Sequence, residues 1–260
     1  MLDSKERLVK SNQNSIYTMP CGCEFKLLSE EINPLSGLPH IDIDYYNLPL
    51  DCDLAWDTFK RSTKGVFQLE TNLGQTYSKK LGPENLEDLG ALGAILRPGV
   101  LKAMLDGKSL TQHFIDRKNK IEEPTEIDPS IADILRETQQ ILVYQEETLQ
   151  IAQKIAGFDL KQADILRRAM GKKIPELMTQ VEAEFIEGVK KTGIVTEEKG
   201  REIWDMIRKS ERYSFNKSHS ISYGLAGYWS AYLKSHFPLL FFTSWLSFAK
   251  YKIFRVKHGK

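Results

Sequence analysis

No apolar run in this sequence is long enough to cross a bilayer. The longest nearly unbroken one, Phe237 to Ala249, has 13 residues and includes Thr and Ser, against roughly 20 for a spanning helix. The N-terminus, MLDSKERLVK, lacks the apolar core of a secretory signal, and the expected location is cytoplasmic. Charge of one sign is missing as well: 36 basic and 35 acidic residues leave a net charge of +1. No global field advertises nucleic acid, so any basic footprint must be local. Histidine is scarce; the five, at positions 40, 113, 219, 236 and 258, show no helical metal-ligand spacing. Cysteine is scarcer still. Three residues, Cys21, Cys23 and Cys52, exclude a disulfide framework and suit a reducing compartment. Cys21 and Cys23 form a Cys-x-Cys pair that could hold half of a zinc site, with Cys52 and His40 as completing ligands. Free or buried thiols are the alternative reading.

What is present is ordinary in bulk and informative in detail. With 260 residues, 41% of them hydrophobic and 27% charged, the chain can bury one large core or two modest ones. Internal repeats and low-complexity segments are lacking. Residues 1–20 are polar and without a period, which predicts a flexible segment. Residues 21–58 mix Pro, Gly and short β-branched runs and read as loops with one or two short strands. "GVFQLE" (65–70) could be a strand or a buried turn, and helical signals take over from Asn85. Asp159 and Gln162 imitate a capping box, and Gly171 is a fitting stop for the helix they open. Pro175 suits the first turn of the next helix, which ends near Gly193. "KGREIWDMIRKS" (199–210) is a third, and after the loop "ERYSFNKS" a long aromatic helix runs to Pro238. The fold class expected is mainly α with an irregular, partly β entry region.

Two segments concentrate chemistry. Lys161 to Lys173, "KQADILRRAMGKK", holds five basic residues and one acidic one, a local net charge of +4. Arg167 and Arg168 diverge by about 100° on a helix, so both cannot be buried, and Asp164 stands one turn from Arg168. With Lys172 and Lys173 they could cradle a triphosphate or a nucleic-acid backbone; a solvated surface cluster is the plain alternative. "RYSFNKSHSISYG" (212–224) packs aromatics, a cation, an amide and hydroxyls into a turn that opens a helix. Ser218 could cap it, Lys217 and His219 would stand beside an anion-favouring terminus, and Tyr213 and Phe215 offer flat faces to a base or sugar. An aromatic clamp between helices would look the same. Neither segment contains a nucleophile–base pair, so triad hydrolysis is excluded as a reading. A third candidate is "HIDIDYYNLPLDC" (40–52). If residues 41–45 form a strand, Asp42 and Asp44 share a face and could grip magnesium. A magnesium-dependent nuclease built on them would need a third carboxylate, for which Asp51 and Asp53 are the near choices.

The order of the motifs carries more than any one of them. "GVFQLE", "LEDLGALGAILRPG" (86–99), "ILVYQEETLQIAQKIAGFDLKQADILRRAMGKK" (141–173) and "YSFNKSHSISYGLAGYWSAYLKSHFP" (213–238) resemble the fingers region of the bacterial C-family DNA polymerase III alpha subunit. The resemblance covers roughly residues 48–245. It implies a helical fingers domain within residues 65–245, after a connector over 21–64 and before a basic tail over 246–260. It implies dNTP binding by Arg167, Arg168, Lys172, Lys173, Lys217 and His219. Contact with the nascent base pair and DNA would fall to Arg97, Tyr213, Phe215, Asn216 and Ser218. The implied cofactor is Mg2+, held mainly by a palm domain that this chain lacks, so no catalytic residue is expected here. The implied partners are primer-template DNA, dNTPs, a separate palm-containing polypeptide and a sliding clamp reached through further C-terminal parts, with no membrane. "LPLDCDLAWDTF" (48–59) resembles the connector from palm to fingers, which makes Asp42 and Asp44 a seam between domains instead of a metal pair.

The sequence also departs from the family. Gln139 and Gln140 stand where members commonly read Tyr-Gly, and Glu147, Thr148 and Leu149 replace the usual amide and methionine pattern. This divergence is similar to that of a phage or mobile-element relative. The expectation is a fragment of a polymerase, from a split gene, a truncated gene or an excised piece; the alternative is a repurposed or degraded DNA-binding module without polymerase activity.

Overall fold

The computed structural model describes residues 8–9, 16–34, 36–172 and 175–248. In chain order the elements begin with β1 (Leu8–Val9), β2 (Ile16–Thr18), β3 (Glu24–Asn33), β4 (Leu38–Asp42), α1 (Asp53–Arg61), α2 (Asn72–Leu81), α3 (Leu86–Ile95) and α4 (Pro98–Lys102). They continue with β5 (Met104–Leu105), β6 (Lys108–Ser109), α5 (Leu110–Lys118), α6 (Gln145–Ala156) and α7 (Leu160–Lys172). The last are α8 (Pro175–Thr192), α9 (Glu197–Ser210), α10 (Lys217–His236) and α11 (Pro238–Phe248). The architecture is mainly α, as expected. The chain forms two compact units, residues 1–85 with 225–260, and residues 86–224.

In the first unit β1 to β4 make an antiparallel sheet in sequence order. The entry region is therefore more regular than the one or two strands expected. Its period was hidden because Phe25 is the one buried residue of β3 and the β3–β4 register shifts twice, between Leu27 and Ser29 and between Ser29 and Ile32. Each shift resets the alternation that would mark a strand. Two helices, α1 and α2, also precede Asn85. Thr71 caps α2 by accepting from the Gly74 N–H at 3.1 Å, and Gly82 closes it at φ +58°. "GVFQLE" is a turn and not a strand: Val66 and Leu69 are buried, Phe67 is exposed, and Gln68 takes φ +64°. Trp56 packs on Tyr228 with ring centroids 4.6 Å apart, and the Tyr228 hydroxyl donates to the Pro49 carbonyl at 2.6 Å. Of the segment 1–20, residues 8–9 and 16–18 are strands; the rest of the expected flexible segment lies largely outside the described residues, as does most of the basic tail.

In the second unit Asp159 and Gln162 form the expected reciprocal cap, Gln162 N–H to Asp159 at 2.8 Å and Asp159 N–H to Gln162 at 3.1 Å. The helix does not stop at Gly171 but runs to Lys172, since a glycine is tolerated inside a helix and stops it only when its φ turns positive. The next helix does end at Gly193, with φ +62°. Ile155, Leu166, Phe185, Val189, Trp204 and Ile207 fill the core between α6 and α9. Gly188 lets α8 approach α6 closely: a β-carbon there would lie 2.1 Å from the Ala156 carbonyl oxygen. Gln139 and Gln140 both adopt left-handed backbone, φ +57° and +59°. The strain is offset by anchors, Gln140 Nε2 to the Ala132 carbonyl at 2.8 Å and Arg117 to the Gln139 carbonyl at 3.0 Å.

Candidate nucleotide and nucleic-acid interface

The turn before α10 is built onto the start of α6 by backbone bonds. Phe215 donates to the Val143 carbonyl at 3.0 Å, and Gln145 donates to Phe215 at 2.9 Å. The β-like bridge between Tyr144 and Phe215 is parallel. Behind it lies Glu147, a buried carboxylate that sequence reading treated only as a departure from the family. It accepts from the Thr138 hydroxyl at 2.7 Å, the Val143 N–H at 2.9 Å and the Tyr144 N–H at 2.8 Å. Burial pushes its pKa up to about 7 in spite of those donors. A Glu three residues into a helix after a β-branched run is the signal that could have found it.

From that base the turn projects a file of flat and cationic groups. The Arg97 guanidinium lies 4.4 Å over the Phe215 ring. His219 meets Phe215 edge-on at 5.3 Å and Tyr223 at 4.1 Å. Tyr213 is set beneath, its Cβ lying where a β-carbon on Gly99 would come within 2.7 Å, and burial raises its phenol pKa to about 12. Asn216 caps α10, accepting from the His219 N–H at 2.8 Å. That corrects the expectation for Ser218, which is exposed and makes no such cap because the helix begins at Lys217, two residues earlier than a Ser218 cap requires. The anion-favouring end of α10 is already met by Glu146, which accepts from Lys217 N–H at 2.9 Å and from Asn216 Nδ2 at 2.7 Å. Lys217 Nζ reaches Glu137 at 2.7 Å and stands 5.8 Å over the Tyr144 ring.

The arginine pair stands on α7 and both side chains are exposed. Asp164 holds them together: Arg167 Nη2 lies 2.7 Å from one carboxylate oxygen and Arg168 Nε 3.0 Å from the other. The guanidinium groups push the Asp164 pKa below the usual carboxylate range, the hydrogen bond from Arg167 most of all. Lys172 ends the helix, and Lys173 lies outside the described residues. The expected groups thus sort into an α7 pair and a file around the α10 turn, each held by its own carboxylates.

A second cluster in the same unit went unread in the sequence. Glu122 takes His113 Nδ1 at 2.7 Å, Arg117 Nε at 2.8 Å and Lys108 Nζ at 2.9 Å, and Lys108 also bonds Asp116 at 2.8 Å. Burial alone would raise Glu122, but Arg117, Lys108 and His113 outweigh it and hold it at about 2. Its members are close in sequence but lie on a helix, a hairpin and a loop, so no single period exposes them.

Asp42 and Asp44 do not share a strand face. The strand ends at Asp42, and Asp44 caps a 3-10 turn over Tyr45–Asn47, accepting from Tyr46 N–H at 3.0 Å and from the Asn47 amide. That use of Asp44 does not fit a magnesium ligand. Among the described residues, the group able to hold a metal is instead Cys21, Cys23, Cys52 and His236. His40 is exposed on β4 and is not part of it. No helix among the described residues is long and apolar enough to cross a membrane.

Residues 28–193 match the family model described as the bacterial DNA polymerase III alpha subunit finger domain. The chain belongs to that family. It is 40% identical to the DNA polymerase III subunit alpha of Aquifex aeolicus over 222 residues, covering 85% of this chain and 18% of the relative. The Pseudomonas aeruginosa subunit is 42% identical over 217 residues, 81% of this chain and 18% of its own length. For Escherichia coli K12 the values are 40% over 215 residues, 80% and 18%. The chain therefore spans less than a fifth of the curated relatives it matches.

Proposed function

We propose that this chain supplies the fingers of a DNA-directed DNA polymerase in DNA replication in the cytoplasm, acting with a palm domain. Arg167, Arg168, Lys172, Lys173, Lys217 and His219 bind the triphosphate of the incoming dNTP. Arg97, Tyr213, Phe215, Asn216 and Ser218 face the nascent base pair and primer-template DNA. The palm holds Mg2+ and the catalytic carboxylates, and a sliding clamp binds parts beyond this region. The observation that carries the reading is the exposed guanidinium pair on α7, preset by Asp164, in a chain matched by the finger-domain family over most of its length. Phosphoryl transfer asks positioning and charge neutralisation of such a domain, not covalent chemistry, and Arg meets phosphate oxygens in bidentate fashion.

Primer extension in the presence of the palm domain tests it. Arg167→Ala with Arg168→Ala raises the apparent dNTP requirement about tenfold to over a hundredfold, the equivalent of roughly 1.5–3 kcal/mol for a charged hydrogen bond. Unchanged extension by the double variant removes these residues from the dNTP site. Binding to plain duplex with no preference for dNTP would mark a DNA-binding module instead.

A further inference from the structure

Three cysteines and a histidine that are far apart in sequence meet in the first unit. Cys21 and Cys23 come from the β2–β3 turn, Cys52 from the residue preceding α1, and His236 from the last position of α10. Their ligating atoms all lie within 4.8 Å of one another. Cys21 Sγ is 3.1 Å and Cys52 Sγ 3.6 Å from His236 Nε2. A tetrahedron with Zn–S about 2.3 Å and Zn–N about 2.0 Å sets ligand atoms roughly 3.5–3.8 Å apart, so the four groups surround a space of that size.

The turn is shaped for this. Gly22 N–H donates to the Met19 carbonyl and Met19 N–H to Cys23, both at 2.8 Å. Gly22 adopts φ +90°, a conformation a side chain would resist. The chain thereby doubles back and sends both sulfurs to one side. The histidine is oriented as well. Its Nδ1 lies 2.9 Å from the Tyr232 carbonyl oxygen, which can only accept. Nδ1 therefore carries the proton, and the Nε2 lone pair faces the sulfurs. A ring nitrogen tied to a backbone carbonyl while the other points at thiolates is the usual arrangement of a metal-ligating histidine.

We propose that Cys21, Cys23, Cys52 and His236 bind one Zn2+ as a closed, four-ligand structural site. The ion replaces thiol protons, which leave to solvent, and no redox change is involved. It clips the β2–β3 turn to the start of α1 and the end of α10, joining residues 215 positions apart. A clip over so long a loop stabilises by restricting the unfolded chain, and folding and metal binding become one equilibrium. This inference does not depend on the polymerase reading.

The test uses the full 260-residue chain. Metal analysis after purification without chelator should find one zinc per chain. Replacing zinc by Co2+ should give the intense d–d and thiolate-to-cobalt absorption of a tetrahedral thiolate-rich site. Cys21→Ser, at an exposed position, and His236→Gln should lose the stoichiometric zinc and those bands, whereas His40→Ala keeps both. Wild-type chain without zinc above the buffer blank and without the cobalt bands overturns the proposal. So does an iron–sulfur chromophore, or zinc that persists in a folded Cys21→Ser, Cys23→Ser double variant.

Discussion

Consider replacing Glu147 by Gln. The carboxylate is 5% exposed and takes three donors, two of them backbone N–H groups of the segment that pairs with Phe215. Gln keeps one oxygen acceptor and puts an NH2 group where the other oxygen was, leaving at least one buried donor unpaired at about 1–3 kcal/mol. The pH dependence isolates the charge. Glu147 titrates near 7 when folded against about 4.3 unfolded. Between those values the folded chain holds a proton that the unfolded chain has lost. Its contribution is thus greatest below about pH 4 and falls as pH rises from there to about 7, by about 4 kcal/mol in all. Gln cannot titrate. Urea unfolding between pH 5 and 8 should therefore show Glu147→Gln most destabilised at pH 5, with the gap to wild type narrowing by about 2–3 kcal/mol at pH 8. A gap independent of pH over this range would refute the burial argument and mean that the three donors win and the carboxylate is ionised throughout.

Gly188→Ala should destabilise by about 3 kcal/mol, since the methyl group meets the Ala156 backbone and not a movable side chain; a wild-type thermal midpoint would show that α8 can slide without loss. Glu122→Gln should cost on the order of 2–3 kcal/mol near neutrality by leaving Arg117, with its side chain 4% exposed, short of its charged partner. Because the folded pKa of Glu122 is depressed to about 2, its stabilisation is present above the unfolded value and disappears as pH falls from about 4.3 towards 2. Acid titration followed by circular dichroism should show that limb in the wild type and a flatter one in Glu122→Gln.

What the sequence made legible were features whose parts are neighbours. The Asp159–Gln162 cap, the Pro175 start, the Gly193 stop and the Asp164–Arg168 pair all lie within four residues or one helix turn. The sheet was harder to see, because a strand with one buried residue and two register shifts has no alternation to read. Missed altogether were contacts that tertiary folding creates between distant positions. His236 completes a cluster with cysteines that sequence proximity had assigned to His40. Ser218 looked like the cap, but the Asn216 side chain reaches the His219 N–H, and a shift of two residues moves the whole first turn. At Gln139 and Gln140, where the sequence departs from a glycine-bearing pattern, the backbone takes left-handed torsions on side chains that find their own anchors.

Asp164 has a consequence beyond holding two side chains in place. An arginine free in solvent samples many rotamers, and an incoming anion must select one before binding. Here a single carboxylate splints two adjacent guanidinium groups at 2.7 and 3.0 Å, through an exposed contact that water and salt keep weak, about 0–1 kcal/mol. Such a splint sets geometry without competing strongly against a triphosphate. It also lowers the resting charge of the α7 surface, so under the proposed function a stray phosphodiester would meet a partly neutralised patch while a highly charged triphosphate could still displace the acid. On the proposed reading, the acid set inside a basic motif tunes that motif to respond to charge density.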